Sequence, residues 1–352
     1  MRNLGYYIIR YWMAISLFCY YRKITVVGKK NIPARTPVLF LSNHQNALMD
    51  ILIIATNCSR KPWYLTRADV FKSKVLRPFF TFLQMLPVYR MRDGKANLKN
   101  NDTTFKLSGE LLNQDEAILL FPEANHSLKR RVRPLSKGFT RLIFSALKQN
   151  PKLDITLVPI GQNYQDASTF PDSAAIYYGK PIKVQPLIAE DKRLVINTIK
   201  HEVSHALQGL TTHIQDEANY EAIHNQLQAQ QQDFTKPIEV NATLATDLSN
   251  KRTMVYPRGI GSAVRVLFVV WNLPMIWLWR TFLKPKVPEM EFMDTFRFGF
   301  CAVGFPLFYA IALGTFSFAL DLKTACLGVL GHAVFNLCCV KFLLPTSYRQ
   351  KR

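Results

Sequence analysis

The sequence has no internal repeat, no low-complexity tract and no C-x-x-C pair among its six cysteines. Four of these, Cys301, Cys326, Cys338 and Cys339, lie in the apolar last third. They read as free thiols of a reducing compartment, used as small apolar side chains. No cleavable secretory leader is visible: the stretch Tyr6 to Tyr21 is broken by Arg10 and has no small-residue cleavage site. Acidic residues are scarce, 24 Asp and Glu against 45 Lys and Arg, giving a formal net charge of +21. A chain this positive works beside a polyanion, whether nucleic acid, the anionic face of a bilayer or a phosphorylated substrate. With 20% charged and 49% hydrophobic residues in 352, wholesale disorder is excluded and a core can form without disulfides. A mean hydropathy of +0.00 is high for a soluble enzyme and low for a polytopic membrane protein, so a soluble body with a membrane part is expected.

From Ile24 to about Val184, short β-branched runs alternate with helical stretches. Strands are expected at 38–42, 63–66, 117–121, 155–160 and 175–178, and helices near 47–57, 69–83, 103–113 and 135–149. Such alternation predicts an α/β domain over residues 24–187. Residues 1–23 suit a helix lying in the membrane interface, because Arg10 in a short aromatic stretch is costly in a span; a core-packing helix is the alternative. Residues 188–233 read as a polar helical extension covering the body, and 234–257 as a linker with Pro237 and Pro257 near its ends.

Residues 258–346 form the expected membrane region. Phe298 to Leu320 and Ala325 to Leu344 are apolar runs of spanning length joined by the tight Asp321–Lys323 loop. Arg280, Lys284, Lys286 and Arg297 precede the first run. Lys341, Arg349, Lys351 and Arg352 close the second. Positive residues stay inside, which puts both flanks and the α/β body on the cytoplasmic side. The earlier segment 264–278 carries Asn272 and Pro274 and is read as re-entrant or interfacial.

Four blocks carry candidate chemistry. In Asn43-His-Gln-Asn-Ala-Leu-Met-Asp50, a His at a strand end can take a proton from a hydroxyl while an Asp in the following helix holds its other nitrogen. In Leu86-Pro-Val-Tyr-Arg-Met-Arg92, Arg90 and Arg92 share one side of an extended segment and suit bidentate phosphate binding. Phe121-Pro-Glu-Ala-Asn-His-Ser127 places Glu123 in a strand-end loop, followed by the basic residues Lys129, Arg130, Arg131, Arg133 and Lys137. Leu157-Val-Pro-Ile-Gly161 is a buried strand ending at a glycine. Taken singly, each has a plain structural reading as a cap, a solvated loop or a turn.

In this order, the four blocks resemble those of the glycerolipid acyltransferases, the lysophosphatidate and glycerol-3-phosphate acyltransferase family, over residues 24–185. The resemblance implies an α/β acyltransferase domain, a central mixed sheet flanked by helices, with a C-terminal helical membrane region. It implies His44 as general base with Asp50 as its partner and Arg90 at the acceptor phosphate. Glu123 would contact the acceptor's glycerol, while Gly138 and Pro159 are structural. The stretch Tyr178-Gly-Lys-Pro-Ile182 resembles the family's closing strand pair. The implied reaction is acyl transfer from acyl-CoA or an acyl carrier protein thioester to a phosphorylated glycerol acceptor, with no metal and no resident cofactor. Two departures stand out. His44 and Asp50 are separated by five residues where the family has four, which resembles the branch acting on glycerol-3-phosphate or dihydroxyacetone phosphate. In the third block Ala124 replaces Gly and Asn125-His126 replaces Thr-Arg, so the substrate-binding candidates extend to Arg92, Arg130, Arg131 and Arg133.

Rival readings exist. His201-Glu-Val-Ser-His205 matches the zinc-hydrolase pattern, with Glu202 to activate water and His213, Glu217, Glu221 or His224 as a third ligand. Against it, the segment is polar, sits in an appended helix, and leaves the four blocks unexplained. Nucleic-acid binding is permitted by charge, but no binding motif is present and many basic residues flank apolar spans, so no nucleic-acid partner is expected. A non-catalytic membrane scaffold is the third alternative. Membrane lipids are the expected environment.

Overall fold

The computed structural model describes residues 2–73, 75, 77–89, 99–246 and 260–344. Helix α1 (Arg2–Tyr20) leads into an α/β body whose strands are β1 (Lys23–Val27), β2 (Val38–Ser42), β3 (Trp63–Arg67), β4 (Met85–Val88), β5 (Ala117–Leu120), β6 (Thr156–Tyr164), β7 (Ser173–Tyr178) and β8 (Ile182–Lys183). Between them run α2 (Ala47–Asn57), α3 (Arg77–Phe82), α4 (Asn101–Asn113) and α5 (Gly138–Gln149). The strand order is β1-β7-β6-β2-β5-β3-β4, with β8 also on β6. Pairing is parallel except for β6 with β7 and with β8. The sheet is therefore mixed, as expected.

The central strands are apolar throughout because both faces are covered. In β2, Val38 and Phe40 face a cluster built with α1 and α2, while Leu39 and Leu41 face a second cluster with α5. Strands β1 and β4 were absent from the expected set. Both occupy sheet edges, where Lys23 and Pro87 are tolerated and the local pattern weakens.

The second face is closed by α6 (Lys192–Leu210), whose buried Val195, Ile199, Val203 and Leu207 recur every fourth residue. Its end lies hard against β6: a Cβ on Gly161 would stand 2.2 Å from the Leu210 carbonyl oxygen, so the fourth block must end in glycine. The expected linker needs correction. Helices α7 (Tyr220–Ala229) and α8 (Pro237–Ala245) pack around Phe234 and Val240, both fully buried, so the helical layer continues past 233. Pro237 opens a helix rather than a linker, its ring suiting the first turn. Residues 247–257 lie outside the described part.

Beyond them, α9 (Ile260–Trp271) and α10 (Leu273–Leu278) form an apolar pair bent by 81°. Asn272 sits at the bend and donates Nδ2 to the Phe268 carbonyl and to Asn336 Oδ1 of the next hairpin. That hairpin comprises α11 (Met293–Ala319) and α12 (Leu322–Cys338). By length and composition, Met290–Ala319 and Leu322–Leu343 can each cross a membrane. Helix α11 begins before the apolar run that the sequence suggested. Asp294 and Arg297 are accepted in its first turns because they pair with each other and find hydrogen-bond partners on α1 and the α/β body.

Helix α1 uses one face for the body, burying Tyr6, Leu17 and Tyr20, and leaves Leu4, Ile8, Tyr11, Trp12, Ile15 and Phe18 exposed. Arg10 is spent inside the protein, donating Nη2 to the Thr56 and Cys58 carbonyls at the end of α2.

Candidate active site

Strands β2, β5 and β6 are adjacent, so the loops that follow β2 and β5 meet at one end of the sheet. His44 stands two residues beyond β2, and Asp50 lies in the first turn of α2. The His44 Nδ1 and Asp50 Oδ2 atoms are 2.7 Å apart, with the histidine 15% exposed and the aspartate fully buried. Asp50 Oδ2 also accepts the backbone N–H groups of Gln45 and Asn46, and Oδ1 accepts the Tyr164 hydroxyl at 2.6 Å. Four donors compensate a carboxylate removed from water. Because Asp50 only accepts, His44 carries its proton on Nδ1, and Nε2 is the lone pair left to act as base. The five residues between the pair are accommodated in the turn, where Ala47 takes a φ of 43°.

The third block wraps this loop. Glu123, nearly buried, accepts the His44 N–H through Oε2 and the Arg133 N–H through Oε1, while Arg133 Nη2 reaches Oε2 at 2.6 Å. Ser127 donates its N–H to the His44 carbonyl at 3.0 Å. Glu123 thus ties the His44 loop to the basic run. The turn at Ala124 has a φ of 66°, in the left-handed region, which explains why glycine is usual there. Asn43 exchanges hydrogen bonds with the Gln162 backbone, fixing the first block to the fourth.

Residues given no role from the sequence complete the site. Phe121 stacks on His44 at 4.0 Å between centroids, and His126 meets the His44 ring edge-on at 5.6 Å. Burial lowers the His126 pKa, so it stays neutral to lower pH than a free histidine. His126 Nε2 is 3.2 Å from Glu289, and its ring packs on Phe292 just before α11. The third block's departure from its family pattern was the signal for His126. Tyr164 had only its place at the end of β6 to mark it.

Of the basic candidates, Arg133 alone among the described residues reaches the dyad loop. Arg130 is corrected: its guanidinium is buried, donates to the Tyr164 and Gln165 carbonyls, and stacks over Phe234 at 3.8 Å. Arg131 is also corrected, pairing with Glu217 of the helical layer at 2.6 Å. Each takes a protein partner because the helical layer covers this side of the basic run. Arg90 and Arg92 lie outside the described residues.

The zinc reading gains no support. His201 and Glu202 are exposed on α6, and His213 Nδ1 accepts the Val132 N–H. Among the described residues, no three His, Cys, Asp or Glu side chains stand close enough together to hold a metal.

Residues 23–162 match the Acyltransferase family model. The chain is 27% identical over 163 residues to a chloroplastic 1-acyl-sn-glycerol-3-phosphate acyltransferase of Brassica napus, covering 46% of this chain and 44% of that protein. It is 20% identical over 207 residues to glycerol-3-phosphate O-acyltransferase 2 of Saccharomyces cerevisiae, covering 54% of this chain and 26% of that one. The chain thus spans less than half the length of these relatives. A similarity to the crystal structure of the Thermotoga maritima 1-acyl-sn-glycerophosphate acyltransferase has a TM-score of 0.43 at 15% identity, over 59% of this chain and 81% of that one.

Proposed function

We propose that the chain is a membrane-bound O-acyltransferase of phosphatidic acid synthesis. It transfers a fatty acyl group from acyl-CoA or an acyl carrier protein thioester to glycerol-3-phosphate or its 1-acyl derivative. The observation that carries this reading is the 2.7 Å contact between His44 Nδ1 and a fully buried, four-donor Asp50. That contact leaves Nε2 as the base.

In the reaction, His44 Nε2 takes the proton of the acceptor hydroxyl as its oxygen attacks the thioester carbonyl carbon. The tetrahedral intermediate collapses with cleavage of the C–S bond, and the imidazolium returns its proton to the leaving thiolate. Asp50 holds the tautomer and stabilises the imidazolium while it exists. Its bond from Tyr164 and its two backbone donors keep it from moving. Arg90 and Arg92 supply phosphate ligands, and Arg133 takes the part of the arginine missing from the third block. Glu123, whose two oxygens are both taken by the His44 N–H and by Arg133, orders the His44 loop and Arg133 rather than contacting the glycerol.

Both substrates are anionic and one is apolar, so a basic site beside the exposed apolar face of α1 and the membrane-length hairpin concentrates them. The α/β body lies on the cytoplasmic side in this reading, following the basic flanks of the hairpin.

The five-residue spacing and the C-terminal hairpin favour glycerol-3-phosphate as acceptor. The test offers purified protein acyl-CoA with each acceptor in parallel, then repeats with acyl carrier protein. Lysophosphatidate formed from glycerol-3-phosphate supports this assignment. Phosphatidate formed only from the 1-acyl acceptor moves the chain to the next step, and no product with either donor overturns the reading.

A further inference from the structure

A cavity of about 780 Å³ lies between α1, the α9–α10 bend and the α11–α12 hairpin. Its size is within the range of ~300–1,000 Å³ typical of small-molecule sites. Acyl transfer as derived above makes no use of it. His44, Asp50 and Glu123 do not line it. The segment 289–294 stands between. Glu289 and Phe292 touch His126 on the catalytic side, Met290 and Met293 form cavity wall, and Asp294 accepts a hydrogen bond from Asn46 in the dyad loop.

The lining specifies a ligand. It runs along α11 from Arg297 to Tyr309. Twelve positions of helix are about 18 Å, close to the ~15 Å hydrocarbon depth of one leaflet. The walls are mainly apolar, and no Asp or Glu is among them, whereas Arg265, Arg280, Lys284 and Arg297 are. Arg297 is held by Asp294 and Tyr20. Arg280 and Lys284 are exposed, and among the described residues neither pairs with a carboxylate. Trp279 packs on Phe300 at 6.0 Å, which sets these two cations near the level of Arg297, at the end of α11 that enters the α/β body. Uncompensated cations above an apolar shaft complement a phosphate head on an acyl tail.

We propose that this cavity binds one anionic phospholipid of the surrounding bilayer, with its phosphate at Arg280 and Lys284 and one acyl chain along α11. Occupancy fixes Met290 and Met293, and through the same segment fixes Phe292 and Asp294 against the dyad loop. The lipid is thereby an activator that takes no part in the reaction. The binding stands on the cavity alone, while the activation rests on the acyl-transfer reading.

The full chain, stripped of lipid in detergent, is titrated with phosphatidylglycerol or phosphatidylcholine of matched chains and examined by native mass spectrometry. One phosphatidylglycerol is retained per chain, several-fold more tightly than phosphatidylcholine, and inorganic phosphate does not displace it. The double substitution Arg280→Gln with Lys284→Gln removes the preference. Ala333→Trp, which fills the shaft, lowers retention of both lipids; the surface double variant serves if that protein does not fold. Equal retention of the two lipids, an unchanged preference in the double variant, or displacement by phosphate overturns the site. In phosphatidylcholine vesicles, adding phosphatidylglycerol raises wild-type acyl transfer several-fold but leaves the double variant unchanged. A wild-type rate indifferent to the added lipid overturns the activation. Retained phosphatidylglycerol with no acyl transfer in any vesicle supports the site and refutes the acyl-transfer reading instead.

Discussion

Asp294, one residue into the first membrane-length helix, accepts a hydrogen bond at 3.0 Å from Asn46 Nδ2, a residue of the turn that holds the dyad. The same buried carboxylate accepts the hydroxyls of Tyr20 at 2.5 Å and Tyr21 at 2.8 Å, and pairs with Arg297 at 2.9 Å. Arg297 in turn donates to the Ser168 and Thr169 carbonyls. The membrane-length hairpin, α1 and the turn that holds His44 and Asp50 therefore share one polar centre, and the hairpin positions that turn.

Removing that centre should slow the chemistry more than it weakens acceptor binding. Asp294→Asn is expected to lower kcat by roughly tenfold, about 1.4 kcal/mol in the barrier, with the acceptor KM little changed. Thermal stability falls as well, since breaking a buried ion pair costs about 3–5 kcal/mol when one charge is left unpaired. Steady-state kinetics on the folded fraction check this, and an unchanged kcat would show that the hairpin only anchors.

Ala124 carries left-handed backbone at a φ of 66°. A residue with a Cβ pays about 1–2 kcal/mol there, part of which returns through the greater unfolded-state freedom of glycine. Ala124→Gly should therefore stabilise the protein by about 1 kcal/mol, seen as a rise of a few degrees in Tm. A fall in Tm would mean that the turn is held by the alanine methyl.

Asp172 is fully buried and, among the described residues, its Oδ2 has no hydrogen-bond partner; desolvation raises its pKa well above the carboxylate range, with nearby Asp294 adding to the effect. A raised folded-state pKa means that folding takes up a proton above the unfolded pKa of about 3.9, so the group's stabilising contribution is complete below that value and is lost as pH rises toward the folded pKa. Asp172→Asn removes the titration. Its stability relative to wild type should climb as pH is taken from 5 to 8, on the order of 1 kcal/mol per unit over which the wild-type group stays protonated. Denaturant melts at several pH values measure it, and a difference that is flat with pH would show that Asp172 is ionised when folded.

Arg130 and Arg133 separate structure from chemistry within one basic run. Arg130→Ala leaves two carbonyls and the Phe234 face without their partner, and should cost about 2–4 kcal/mol of stability while the acceptor KM holds. Arg133→Ala should instead lower acyl transfer by about tenfold or more, because Glu123 loses the guanidinium that holds its Oε2 against the His44 N–H. A raised acceptor KM in the Arg130 variant would return that residue to the substrate site.

The meeting of the first, third and fourth blocks was legible because each is local. A histidine after an apolar run and an aspartate in the next helix need only short-range geometry, and β2, β5 and β6 being neighbours brings the blocks together. What could not be read was long-range or weakly patterned. Asp294 meets Tyr20 across 274 residues, and no periodicity in either segment announces it. Arg130 looked like part of a phosphate site because the layer that buries it lies downstream of the run. Helix α8 was hidden by reading Pro237 as punctuation, although a proline is equally at home in the first turn of a helix. Strands β1 and β4 were missed at the sheet edges, where burial on both faces no longer writes itself into the sequence.

The central claim is that His44, held by Asp50, is the base of an acyl transfer. The most direct measurement is the single-turnover rate of acyl transfer from acyl-CoA to glycerol-3-phosphate by purified wild-type, His44→Ala and Asp50→Asn proteins, each with its fold verified by circular dichroism. The account predicts product from the wild type, a loss of about 10²–10⁴-fold in His44→Ala, and a comparable loss in Asp50→Asn through the wrong tautomer. Folded His44→Ala protein turning over near the wild-type rate would contradict it.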